Sequence, residues 1–114
     1  MERDCDLVTV DESGSFYDSG FIQPVDFFGT GPRIPMIAVS PFSKGGRVTH
    51  VYAEHSSFVK FIERNWHLGT LSARSRDNLP NPTPGGPNAY VPGNMPAIGD
   101  LFDLFNFAGV ERYR

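Results

Sequence analysis

Two kinds of hydrophobic pattern run through the first half of the chain. Residues 5–10 (CDLVTV) and 34–40 (IPMIAVS) are short runs rich in Val, Ile and Leu, bounded by turn residues. Such runs predict two strands buried on both faces of an inner sheet. The 23 residues between them hold Gly14, Gly20, Pro24, Gly29, Gly31 and Pro32 and show no helical period. Parallel neighbours need a crossover, usually a helix, so this crossover is predicted as a loop. Loops of that length in compact domains tend to be functional. A turn at Ser43-Lys44-Gly45-Gly46 leads to a short strand predicted over residues 47–52. From residue 54 to 66 the period changes: Phe58, Phe61, Ile62 and Trp66 share one helical face, with Lys60, Glu63 and Arg64 on the other. This predicts an amphipathic helix laid on a sheet.

Residues 69–96 carry six of the ten prolines. Proline removes a backbone donor and fixes φ, so this stretch is predicted as a surface wrap, neither helix nor central strand. Ile98, Leu101, Phe102 and Phe105 then return to helical spacing and predict a short C-terminal helix. No internal repeat is present. Two inner strands need neighbours at both edges and cover on both faces, and the predicted helices are too few to supply it. Residues 1–114 are therefore expected to be the C-terminal portion of one larger α/β domain.

Composition narrows the partners. The formal net charge is −3 and the basic residues are scattered, which argues against a nucleic-acid or anionic-membrane surface. There is no apolar stretch of transmembrane length, and the first residues lack the pattern of a signal peptide. The single cysteine, Cys5, heads the first apolar run and is expected in the core, without an internal disulfide.

Candidate chemistry gathers at two places. Asp11 and Glu12 follow the first strand, and Ser13-Gly14-Ser15 permits the turn that would bring both carboxylates to one point. Ligands of open α/β sheets bind beyond the carboxyl ends of strands, and paired carboxylates are hard ligands for a divalent cation. On the pair alone, a solvated acidic turn is the plainer reading. His55 stands at the predicted helix start, between Glu54 and Ser56-Ser57, where free N–H groups favour a bound anion. A capping-region residue packed on the surface is the plainer reading there too. His50 and His67 read as structural, and SKGGR, lacking P-loop spacing, as a turn.

Taken in order, VTVDESGSFYDSG, GPRIPMIAVSPFSKGGRVTH and YAEHSSFVKFIERNW, followed by SRDNLPNP and YVPGNMPAIGDLFDLFNF, resemble the C-terminal part of the bacterial phosphoesterase family of phospholipases C and acid phosphatases, within the alkaline phosphatase superfamily. The resemblance implies a sandwich with a central mixed, mainly parallel sheet. It implies a metal-dependent hydrolase of phosphate esters, working through a covalent phospho-enzyme, and a family often exported from the cytoplasm. By resemblance, Asp11 and Glu12 form part of the metal site and His55 lines the phosphate site. Ser13 and Ser19 stand where the commoner family pattern has histidines. The family's hydroxyl nucleophile and other metal ligands belong to a region N-terminal to this chain, and Ser56 and Ser57 do not replace it. The chain alone is expected to be inactive. The alternative is a non-catalytic metal-binding or interaction fragment.

Overall fold

A computed structural model describes residues 4–11, 31–85 and 91–108. The chain divides into two compact units, Met1–Gly45 with Asn106–Arg114, and Gly46–Phe105.

In the first unit, β1 (Asp6–Thr9) pairs antiparallel with β2 (Met36–Val39), in the register Asp6↔Val39, Leu7↔Ala38, Val8↔Ile37 and Thr9↔Met36. The pairing corrects the parallel expectation: among the described residues the only sheet is this antiparallel pair. Burial on both faces is corrected as well. Leu7, Thr9, Met36 and Ala38 are half-buried, while Val8, Ile37 and Val39 are 56%, 61% and 56% exposed. Burial of one face only is what antiparallel pairs permit and inner parallel strands do not. A run of four apolar residues does not by itself distinguish the two. Side-chain bonds tie the ladder at its ends, from Thr9 Oγ1 to the Pro35 carbonyl at 2.8 Å and from Ser40 Oγ to the Asp4 carbonyl at 3.0 Å. The turn after β2 is held by Ser43 N–H to the Ser40 carbonyl, and Gly46 takes φ +69°, which a side chain would resist. Cys5 is exposed, a correction to the core expectation: it precedes β1 and nothing covers it among the described residues.

Among the described residues, Val8, Val10, Ile37 and Val39 therefore make an exposed apolar patch on a sheet of only two strands. Such a face promotes association. The purified chain is expected to elute from size exclusion as associated species, and Val8→Lys with Ile37→Lys is expected to shift it toward monomer. A wild-type chain that runs as a monodisperse monomer would contradict this.

The second unit is built around α1 (Ser56–Trp66). Its helix begins two residues later than the spacing predicts and ends at the predicted residue. His67 closes it in the left-handed region (φ 54°), with the N–H groups of both His67 and Leu68 bonded to the Glu63 carbonyl. That is a Schellman-type ending, usually made by glycine.

The packed face of α1 is rotated from the predicted one. Phe61 is buried and touches the rings of Phe102 and Phe105, at centroid distances of 5.1 and 5.5 Å. Ile62 and Trp66 are 48% and 62% exposed, whereas Ser57 and Glu63 are buried. The cause is that among the described residues of this unit there is no strand for α1 to meet; it meets loop backbone rich in acceptors. Lys60 Nζ donates to the Leu79 carbonyl at 2.5 Å and the Ile98 carbonyl at 2.9 Å. Arg64 bonds Asp100 and lies 4.1 Å over the Phe102 ring. The polar side of the helix is thus engaged by polar partners, and partial burial pulls the Lys60 ammonium below its usual range despite the neighbouring Asp100 charge.

Within residues 69–96 the described backbone forms one 3₁₀ turn, Arg76–Asn78, and is otherwise neither helix nor strand. Gly85 and Gly93 meet back to back: a Cβ on Gly85 would stand 2.4 Å from the Gly93 nitrogen, so this crossing requires glycine. The predicted C-terminal helix does not form. Leu101 takes φ 63°, and only a 3₁₀ turn, Phe102–Leu104, follows. The apolar positions are nonetheless inside: Ala97 and Ile98 are fully buried, with Leu101 and Phe105 close to it. Residues 47–52, predicted as a strand, carry no regular structure. Tyr52 instead accepts the Gly99 N–H at 2.8 Å, a single bond that builds no ladder.

Candidate functional site

The first predicted position is Asp11. It lies two residues beyond the end of β1, exposed, in the first unit. Glu12, with Ser13, Ser15 and Ser19, lies outside the described residues. Among the described residues, no three or more His, Cys, Asp or Glu side chains are grouped to hold a metal ion.

The second position, His55, lies in the second unit at the N-cap of α1 and is exposed. The sequence folds this way locally because Ser57 reaches back. Its hydroxyl accepts the Glu54 N–H at 3.1 Å, while its own N–H bonds the Glu54 carbonyl at 2.8 Å. Phe58 N–H bonds the His55 carbonyl at 3.1 Å. Two early helical donors are therefore satisfied inside the helix start. Ser57 is fully buried in this role, which suits a structural hydroxyl.

Sequence reasoning missed the partner of this segment. Arg76 clamps the Glu54 carboxylate with two bonds, Nε to Oε1 at 2.6 Å and an NH2 nitrogen to Oε2 at 3.0 Å. A bidentate guanidinium–carboxylate pair fixes orientation as well as position. It sets the backbone carrying His55 against the 3₁₀ turn. The residues are 22 apart in the chain, so no local spacing signals the pair. His67, by contrast, serves as the helix terminator at the other end of α1, and His50 is exposed in the irregular segment.

The same unit has a cavity of about 380 Å³ lined in part by Val51, Arg64, Asn81, Asp100, Phe102 and Asp103. His55, the predicted site residue of this unit, does not line it. Its polar groups are engaged with one another: Asp100 accepts from Arg64, from Asn81 Nδ2 at 2.7 Å and from the Phe102 N–H at 3.1 Å, and Asp103 accepts from the Thr49 hydroxyl. Burial works against the Asp100 charge, but the bonds from Asn81, Phe102 and Arg64 and the Arg64 charge outweigh it and hold the carboxyl below the usual range. This cluster joins α1 to the segments around Asn81 and Asp100, and its groups are used up in doing so.

Comparison with known proteins agrees on one family. The model of the Phosphoesterase family matches residues 2–69, a span that includes Asp11, Glu12 and His55. The non-hemolytic phospholipase C of Burkholderia pseudomallei is 33% identical over 111 residues, 97% of this chain and 14% of that protein. The hemolytic phospholipase C of Pseudomonas aeruginosa is 33% identical over 81 residues, 71% of this chain and 9% of its own length. Phospholipase C B of Mycobacterium tuberculosis is 30% identical over 104 residues, 90% of this chain and 16% of its own length. The chain thus spans less than a fifth of these relatives. No solved structure matches it.

Proposed function

This chain belongs to the Phosphoesterase family, and from that premise we propose that it is the C-terminal portion of a metal-dependent hydrolase of phosphate esters, phospholipids among them, to which it contributes part of the metal and phosphate site. The observation that carries the reading is the continuity of the match. The family model covers both predicted site positions, and a relative named phospholipase C aligns over 97% of the chain.

In this reading the domain is an alkaline-phosphatase-like sandwich whose central sheet gains its further strands from polypeptide beyond these residues. The open apolar face of β1 and β2 supports that. His55 donates a hydrogen bond to a phosphate oxygen from the exposed start of α1. The Glu54–Arg76 clamp positions it without touching substrate. The hydroxyl nucleophile that takes up the phosphoryl group lies outside the chain.

The described residues do not by themselves fit a complete cation site, because Asp11 is one carboxylate and hard cations usually take about six or more oxygens. Asp11 and Glu12 are proposed as two ligands of a site completed by the rest of the enzyme. When bound, a divalent cation would neutralise phosphate charge and lower the pKa of a hydroxyl nucleophile. The isolated chain is accordingly expected to bind divalent cations no better than about millimolar by calorimetry, since one flexible turn must bear the ordering cost. It is also expected to show no phosphate-ester turnover. A hybrid in which this chain replaces the matching segment of the Burkholderia pseudomallei protein is expected to hydrolyse a chromogenic phosphate ester. A hybrid that folds but is inactive would overturn the reading, and micromolar binding by the isolated chain, lost in Asp11→Asn, would show the metal site to be complete within it.

A further inference from the structure

α1 is packed with its charged side inward. Lys60 is held by the Leu79 and Ile98 carbonyls and Arg64 by Asp100, while Glu63, on the same side, is buried. At about 100° per residue, the opposite side carries Phe58, Val59, Ile62 and Trp66, with no Lys, Arg, Asp or Glu among them. Phe58 and Val59 are half-buried and Ile62 and Trp66 exposed; Leu68, just past the helix end, is exposed as well. A surface helix normally turns its apolar stripe to the core and its charges to water. Here the order is reversed. The helix cannot roll over to restore it, because the bonds of Lys60 and Arg64 fix its rotation.

The spacing adds a direction. His55, Val59, Ile62 and Trp66 recur at steps of four, three and four, the seam along which a helix meets a packed neighbour. His55 stands at the head of that seam.

We propose that the outer side of α1 is a docking face for the remainder of the enzyme: an apolar, uncharged segment from outside these 114 residues lies along residues 58–66 and reaches His55. The inference rests on the reading of this chain as one portion of a larger phosphoesterase. The docked segment would form a wall of the phosphate site next to His55.

Length, size and charge select that occupant. Alignment with the Burkholderia pseudomallei phospholipase C takes in 97% of this chain but 14% of that protein, so a whole enzyme of this kind has ample polypeptide to cover the face. The family match also includes all of α1. A second copy is disfavoured by size. Stable association of separate chains needs about 1,000 Å² of buried surface, and the 11 residues of α1 extend only about 16 Å. Polypeptide joined to the helix escapes most of the cost of association, so a short face suffices. A lipid surface is disfavoured by charge. Interfacial helices carry Lys and Arg around their apolar face, whereas the cations of α1 are turned to the opposite side and bonded there.

Hydroxyl-radical footprinting read by mass spectrometry tests the face residue by residue, on the 114-residue chain and on the hybrid phospholipase that contains it. Ile62 and Trp66 are expected to label readily in the chain and about tenfold more slowly in the hybrid, since an interface core packs as densely as a protein interior. The paired substitution Ile62→Ser with Trp66→Ser is expected to leave the urea midpoint of the isolated chain almost unchanged and to lower the melting temperature of the hybrid. Equal labelling of Trp66 in the chain and in a folded hybrid would overturn the docking face, even if the hybrid were active. An inactive hybrid with Trp66 protected would support the docking face and overturn the phosphoesterase reading instead. Protection of Trp66 in the isolated chain at raised concentration, or on adding phosphatidylcholine vesicles, would assign the face to a second copy or to lipid and overturn the proposal. So would a large loss of stability in the doubly substituted isolated chain, whether or not the hybrid folds.

Discussion

In the hybrid phospholipase, His55→Ala is expected to lower turnover of a chromogenic phosphate ester by about a hundred- to a thousandfold, equivalent to about 2.7–4 kcal/mol. The size comes from where the imidazole would act. A donor aimed at a non-bridging phosphate oxygen strengthens its bond as charge redistributes toward the transition state, and interactions that strengthen there are the ones that raise the rate. Generic damage to the helix start is excluded by a control at its other end. His67 terminates α1 in a left-handed conformation, and asparagine tolerates that conformation, so His67→Asn is expected to retain activity within a few-fold. Melting temperatures for both variants complete the comparison. Equal losses in the two variants would return His55 to a purely structural role.

Ile98→Ala is expected to lower the stability of the second unit by about 2–5 kcal/mol, the cost of emptying a large aliphatic site that cannot fully collapse. Ile98 is fully buried, and its backbone is held on both sides: its N–H bonds the Pro80 carbonyl at 3.1 Å, and its carbonyl accepts from Lys60. The backbone therefore cannot slide inward to fill the gap. Small domains have only about 5–15 kcal/mol to lose, so urea denaturation followed by far-UV circular dichroism should show a midpoint displaced far below wild type, or no folded baseline. Ile62→Ala, on the exposed side of α1, should change the midpoint little. An Ile98→Ala midpoint as small in displacement as that of Ile62→Ala would contradict this account of the core.

What was legible in the sequence depended on how local its cause was. The helix was legible from its 3.6-residue period, because a periodic apolar face and its terminators lie within one stretch of chain. The side on which it packs was not, because that depends on Asp100, Asn81 and the Leu79 and Ile98 carbonyls, all distant in sequence. The strands were legible as apolar runs, but four-residue runs carry no mark of whether they pair parallel or antiparallel. In the C-terminal segment the core positions Ile98, Leu101 and Phe105 were picked out by spacing alone. Their helix was not realised, since Gly99 bonds Tyr52 and Leu101 turns left-handed, with Pro96 just upstream. Of the candidate site, the placement of His55 at the start of α1 followed from the helix boundary. The Glu54–Arg76 clamp depends on a pairing across the fold, and Glu12 lies outside the described residues.

The exposed indole of Trp66 has an optical consequence. It is the chain's single tryptophan and it sits on the uncovered side of α1 near its end. With the residue 62% exposed, its fluorescence emission is expected to move little between the folded and the denatured chain, so emission wavelength is expected to report unfolding only weakly. The same property makes it a sensitive gauge of assembly. Any polypeptide that closes over that side of α1 takes the ring out of water and shifts its emission to the blue, giving a built-in signal against a constant background.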